Sequence, residues 1–317
     1  MDVKRNIIFI VIAIAVIGIS SCAQSSAPDP TLKMALLPIL DSLPAYVAQQ
    51  EGYFKAEGIN VEIISVASAP ERDQLIAAGE ADGMINELVS TMFINKNDTQ
   101  VQIVRVARAA TEKDPVFRIL ASKTSGITAP DQLPGNQIGI SEGTVIEYVT
   151  DRLLESAGIS AEEVTKVAIP RISDRLALLG ANELSAAVLP DPLASLALQG
   201  GAVVVLDDTA EPEYGLSVIS FRTETLESNP DLIRAYLRAV EQAVEDINTN
   251  PGQYEGILRE KGLVPDVLIA SYQIPPFPTA AVPTEAQWED ALNWVVENSL
   301  IPDRLEYGDS ITDQYLP

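Results

Sequence analysis

Histidine is absent from all 317 residues. That removes histidine-based triads, histidine zinc ligands and any imidazole base working near neutral pH. Cysteine occurs once, at Cys22, so no disulfide can form within the chain. Basic residues are scarce, 21 against 45 acidic ones, and the formal net charge of −24 disfavours nonspecific attraction to nucleic acid or anionic lipid. Neither a phosphate-cradling P-loop nor a cluster of metal-ligating side chains stands out, so no cofactor and no metal are expected. What is present suits a folded body: 47% of residues are hydrophobic and 21% charged. The length points to two domains, or to one interrupted by another.

The amino terminus sets the compartment. Lys4 and Arg5 precede an unbroken apolar run over residues 7–19. A spanning helix needs about 20 such residues, so this run fits a signal-peptide core. Ile19-Ser20-Ser21-Cys22 follows, and it resembles the lipobox of bacterial lipoproteins. The resemblance implies removal of residues 1–21, acylation of Cys22 and a tether over 22–30, leaving an extracytoplasmic body held to the membrane by several acyl chains. An ordinary secretory peptide or an uncleaved anchor is the alternative.

From residue 31 short apolar runs alternate with helical patterns. Strands are expected over 32–37, 61–66, 84–85 and 101–107, with helices starting near Asp41 or Ser42 and over 70–78. The alternation begins again with strands over 137–141, 164–169, 186–189 and 202–206, and helices over 144–157, 172–179 and 191–198. Leu75-Ile76-Ala77-Ala78-Gly79 and Leu176-Ala177-Leu178-Leu179-Gly180 form a weak internal echo about 100 residues apart. A strand over 216–221 precedes a helix-rich tail, in which 230–248 and 286–298 carry apolar stripes that read as packing faces; the Pro-rich 274–283 between them reads as loop. The fold class is α/β, with mostly parallel sheets covered on both faces.

In such sheets ligands gather beyond the carboxyl ends of the strands. The residues falling there are Leu40, Asp41 and Ser42; Ser68, Ala69 and Arg72; Asn86 and Glu87; Ser141, Glu142, Gly143 and Thr144; Arg171; and Pro190 and Asp191. Short polar side chains and free N–H groups at helix starts can converge on a small solute. Ser42, Ser141 and Asp191 read equally well as plain helix caps. Tyr214 joins the candidates, and a flat ligand face is expected from it or from Tyr46, Tyr148 or Phe277.

The stretch from Gln49 to Glu62, with Gly52-Tyr53-Phe54 at its centre, resembles the opening of periplasmic binding proteins of the nitrate/sulfonate/taurine and thiamine-precursor class. Asp131-Gln132-Leu133-Pro134-Gly135 and Leu189-Pro190-Asp191-Pro192 extend the likeness, which covers about residues 31–250. It implies a type II periplasmic-binding fold: two doubly wound lobes, joined by two crossovers, that close on a solute and hand it to the membrane subunits of an ABC permease. The first lobe is expected over 31–121 plus 216–317 and the second over 122–215, with crossings near Ala121-Ser122 and 212–215. A hinge-closing receptor of this kind suits a monomer. Asp41, Glu87, Glu142 and Asp191 outnumber Arg72 and Arg171, and unpaired carboxylates would oppose an anion. A neutral or cationic nitrogenous solute of pyrimidine type is therefore favoured, with a sulfonate- or nitrate-type anion as the alternative. The fold also includes a eukaryotic pyrimidine synthase that consumes its own histidine, which this chain cannot supply. Paired carboxylates elsewhere could hydrolyse a substrate, or a sensing receptor could replace the permease.

Overall fold

A computed structural model describes residues 30–317. The apolar run, Cys22 and nearly all of the expected tether lie outside the described residues.

The first lobe opens with β1 (Thr31–Leu36), α1 (Leu43–Gln50), α2 (Tyr53–Ala56), β2 (Asn60–Ser65), α3 (Ala69–Ala77), β3 (Gly83–Asn86), α4 (Leu88–Asn95) and β4 (Val101–Arg108). The second contains β5 (Phe117–Ala121), β6 (Gln137–Ile140), α5 (Val145–Ser156), β7 (Thr165–Ala168), α6 (Ile172–Gly180), β8 (Ala186–Pro190), α7 (Leu193–Gln199) and β9 (Val203–Asp207). The chain then returns as β10 (Ser217–Arg222), α8 (Thr223–Ser228) and α9 (Pro230–Thr249), followed by α10 (Glu255–Glu260), α11 (Asp266–Ile269), α12 (Glu285–Glu297) and α13 (Tyr307–Ser310).

The two sheets have one plan. Their strand orders are β2-β1-β3-β10-β4 and β7-β6-β8-β5-β9. In each, the first three strands are parallel and the fourth runs antiparallel to its neighbours. The inner strands β3 and β8 are buried along their whole length, which is why both read as short continuous apolar runs. The edge strands β2 and β7 are half open to solvent. The helical stripes of the tail pack as expected: Ile233, Tyr236, Leu237, Val240, Val244 and Ile247 of α9 are buried against the first sheet. Residues 274–283 are irregular.

Two expectations change. Phe117–Ala121 is a strand of the second sheet, so the first crossing occupies 109–116, ahead of the expected Ala121-Ser122 position. Its partners β8 and β9 lie about 70 to 90 residues away, and no local periodicity announces such pairings. The return crossing occupies 208–216 and contains the expected 212–215. In addition, the tail does not belong to the first lobe alone. Trp288, Trp294 and Val295 of α12 share one apolar cluster with Val89 and Met92 of α4 and with Val149 and Leu153 of α5. Tyr148 donates to Asp290 Oδ2 at 2.6 Å, and Trp294 Nε1 to Asp151 Oδ2 at 2.9 Å.

The crossings are held together by a buried carboxylate. Asp208 accepts from the backbone N–H groups of Val116 (2.9 Å) and Phe117 (3.1 Å). Gly215 lies so close that a Cβ there would stand 2.1 Å from Asp208 Oδ2.

Candidate functional site

Between the lobes, at the carboxyl ends of the parallel strands, lies a cavity that with its mouth encloses about 730 Å³. The first lobe contributes Asp41, Ser42, Ala69, Arg72, Asn86 and Glu87; the second contributes Ser141, Thr144 and Pro190. The cavity thus brings together nine of the residues expected at the strand ends.

The others lie elsewhere. Leu40 is core. Ser68 caps α3 by accepting from Glu71 N. Glu142 and Arg171 are exposed, and Gly143 faces Phe93. Tyr214 sits edge-on to Tyr148 at 5.9 Å in the apolar cluster beside α12. Asp191 lines a neighbouring groove at the cleft mouth. The flat face does not come from the expected aromatics: Tyr46 lies under Lys261, Tyr148 and Tyr214 pack on each other, and Phe277 is core. Phe117, the first residue of β5, is the aromatic residue that lines the cavity.

Nor are the three candidate caps plain caps. Ser42 Oγ donates to Leu37 O at 2.8 Å and makes no capping bond. Thr144, not Ser141, caps α5. Asp191 lies two residues before α7 and accepts from Ser195 Oγ, from Arg118 at 2.5 Å and from the Tyr272 hydroxyl at 2.7 Å. Burial alone would push its carboxyl up, but Ser195 and Arg118 outweigh it and hold Asp191 below the usual carboxylate range.

Charge in the cavity is more balanced than the sequence suggests. Two carboxylates, Asp41 and Glu87, face two guanidiniums, Arg72 and Arg175. Asp41 is met by Arg108 at 3.2 Å, and the same Arg108 Nη1 donates to Asp191 O across the cleft. Arg72 Nη2 lies 2.7 Å from Asp73 Oδ1 and 3.6 Å from Glu87 Oε1. Glu87 uses Oε2 to cap α4, accepting from Ser90 N at 2.8 Å, while its Oε1 makes no hydrogen bond. Burial pushes the Glu87 carboxyl up to about 7, with Arg72 opposing only in part. Asn86 is fully engaged, accepting from Ser220 Oγ at 2.6 Å and donating to Thr91 Oγ1 at 2.9 Å. The hydroxyl of Ser217, at the start of β10, is buried, lines the cavity and has no partner. The expected surplus of carboxylates against an anion is therefore not what the cavity presents.

Arg175 and Ser217 escaped the sequence reading. Arg175 sits one helical turn after Arg171, in phase with the buried Leu179. An arginine inside the apolar stripe of a short helix is the signal that marks it.

Two like lobes with a largely apolar cavity, set with a few polar groups, between their strand ends form a periplasmic-binding-protein fold. The solved alkanesulfonate-binding protein SsuA from Xanthomonas axonopodis pv. citri, bound to MOPS, shares it with a TM-score of 0.76 at 16% identity, over 90% of this chain and 99% of that one. The chain belongs to the NMT1/THI5-like family, whose model matches residues 40–254. Among curated relatives, the formylaminopyrimidine-binding protein of Halalkalibacterium halodurans is 21% identical over 89% of this chain and 91% of its own length. The 4-amino-5-hydroxymethyl-2-methylpyrimidine phosphate synthase THI11 of Saccharomyces cerevisiae is 25% identical over 66% of this chain. The matched region spans 64% of that synthase's length.

Proposed function

We propose that this chain is an extracytoplasmic solute-binding lipoprotein that captures a small nitrogenous heterocycle of pyrimidine type and delivers it to an ABC permease. The observation that carries the reading is Glu87, a buried carboxyl that lines the cavity and whose Oε1 accepts no hydrogen bond, with only the Arg72 guanidinium 3.6 Å away. An exocyclic amine or ring N–H supplies the hydrogen bond that Arg72 does not make at that distance. Phe117 offers the flat apolar surface that a heteroaromatic ring needs. The name of the Halalkalibacterium relative supports the same ligand class.

Binding without covalent chemistry is the companion proposal. The relatives named as synthases argue for chemistry, but histidine-consuming synthesis has no histidine here to consume. Anchoring through Cys22 rests on the basic pair, the apolar run and the lipobox-like tetrapeptide. A sulfonate-type anion is the second reading, favoured by the guanidinium of Arg175, which has no carboxylate partner among the described residues.

Thermal denaturation of residues 23–317 against aminopyrimidines, formylaminopyrimidine, taurine and nitrate tests the ligand class. At 100 times its dissociation constant a true ligand adds about 2.7 kcal/mol of stability. A response to taurine or nitrate alone would overturn the pyrimidine reading. Metabolic labelling with a fatty-acid analogue, lost in Cys22→Ser, tests the anchor.

A further inference from the structure

The shared strand plan pairs residues across the cleft at a constant offset. Arg72 is the fourth residue of α3, the helix before β3; Arg175 is the fourth residue of α6, the helix before β8. Both are buried and both line the cavity. Each reaches a carbonyl of the strand that follows: Arg72 Nη1 donates to Ile85 O at 3.3 Å, Arg175 Nε to Val188 O at 3.1 Å. Arg175 is fixed further by Ile169 O at 2.6 Å and Pro170 O at 3.2 Å.

The two arginines then differ in one respect. The first lobe meets its guanidinium with Asp73 and Glu87; at the corresponding positions the second lobe has Leu176 and Pro190. Nη2 of both guanidiniums lacks a hydrogen-bond partner, but Arg72 Nη2 has carboxylates beside it, whereas among the described residues no carboxylate pairs with Arg175. Burial pushes this guanidinium down to about 10 with nothing opposing it, so it stays charged at neutral pH. A buried cation held in place with one N–H group unspent is costly unless something else completes it.

Building on the solute-receptor reading, we infer that Arg175 is the second-lobe subsite for an electron-rich oxygen on the solute, a formyl, carboxylate or sulfonate group, which takes the place that Asp73 and Glu87 occupy in the first lobe. A heterocycle meeting Glu87 through its N–H edge and Arg175 through an acyl oxygen bridges the lobes. The acyl-bearing pyrimidine is then preferred to the bare amine.

Isothermal titration with formylaminopyrimidine, the matching deformylated aminopyrimidine and ethanesulfonate tests this in the wild type, Arg175→Gln and Leu176→Asp. One charge-assisted hydrogen bond corresponds to about a 10- to 100-fold preference of the wild type for the formylated probe. Arg175→Gln reduces that preference to within about threefold. Leu176→Asp copies the Asp73 arrangement, occupies the guanidinium internally and lowers affinity for the formylated probe without deleting the arginine, so the test survives if Arg175→Gln does not fold. An undiminished preference in a folded variant overturns the inference. A wild type that binds ethanesulfonate and neither pyrimidine overturns the heterocycle reading, while loss of that binding in Arg175→Gln upholds the arginine's role. A wild type that binds none of the three overturns both.

Discussion

Glu87 and Asp208 contribute to how the free protein responds to acid. Burial pushes both carboxyls up to about 7; Arg72 and the Ser90 N–H oppose it at Glu87, and the N–H groups of Phe117 and Val116 oppose it at Asp208. In the unfolded chain both titrate near 4. Between about pH 4 and 7 the native state therefore holds more protons than the unfolded one, and stability falls as pH rises through that window, then levels off. Each group adds at most about 1.4 kcal/mol per pH unit to the slope. Urea midpoints measured between pH 5 and 8 should show this decline, and Glu87→Gln and Asp208→Asn should each flatten it. Asp191 acts in the opposite sense: its carboxyl is held low, so its contribution is present at neutral pH and is lost only in strong acid. At this scale the sequence was informative about strand ends and silent about side-chain aim. Asp41, Arg72 and Glu87 follow from where their strands stop. Whether Arg171 or Arg175 enters the cavity depends on helix phase, and only the buried stripe of α6 decides it.

Among the elements, the crossings carry the tightest constraint. The Asp208 carboxylate ties the return crossing to the outgoing one, and Gly215 leaves it room. In Gly215→Ala the new methyl would meet Asp208 Oδ2 at 2.1 Å and Phe117 Cδ2 at 3.1 Å. Crowding of that kind costs about 1–3 kcal/mol, visible as a lower denaturation midpoint; an unchanged midpoint would mean the crossing yields freely. Most parallel strands and the long helices were legible, because a fully buried strand and an amphipathic helix leave distinct patterns. β5 was not, since its identity lies in antiparallel pairing with distant β8 and β9. The place of α12 was equally hidden. Its apolar stripe says that it packs, not that α4 and α5 are both its partners.

For the molecule as a whole, the strand orders make the repeat of one plan in both lobes plain; the faint echo ending at Gly79 and Gly180 is two residues out of step, because Asn182 (φ 58°), not Gly180, matches Gly79 (φ 70°) at the helix exit. Across the cleft mouth the lobes are clasped by Tyr272 donating to Asp191 Oδ2 and Arg108 donating to Asp191 O. Removing one hydroxyl from this clasp takes away about 1 kcal/mol of net attraction. Tyr272→Phe should therefore enlarge the ligand-free radius of gyration in small-angle scattering, and saturating ligand should restore it. Equal curves for variant and wild type would show that the clasp does not set the lobe spacing.

Registers place Arg108 opposite Ser217 in one sheet and Arg118 opposite Asp207 in the other. The chain thus leaves the first lobe and re-enters it at adjacent points, and does the same in the second. Each lobe has neighbouring ends, like a cassette on a two-stranded stalk. Excising such a module would cut only two chain connections, yet it would also strip α12 of the α5 face it packs on and of the bonds that Tyr148 and Asp151 make to it.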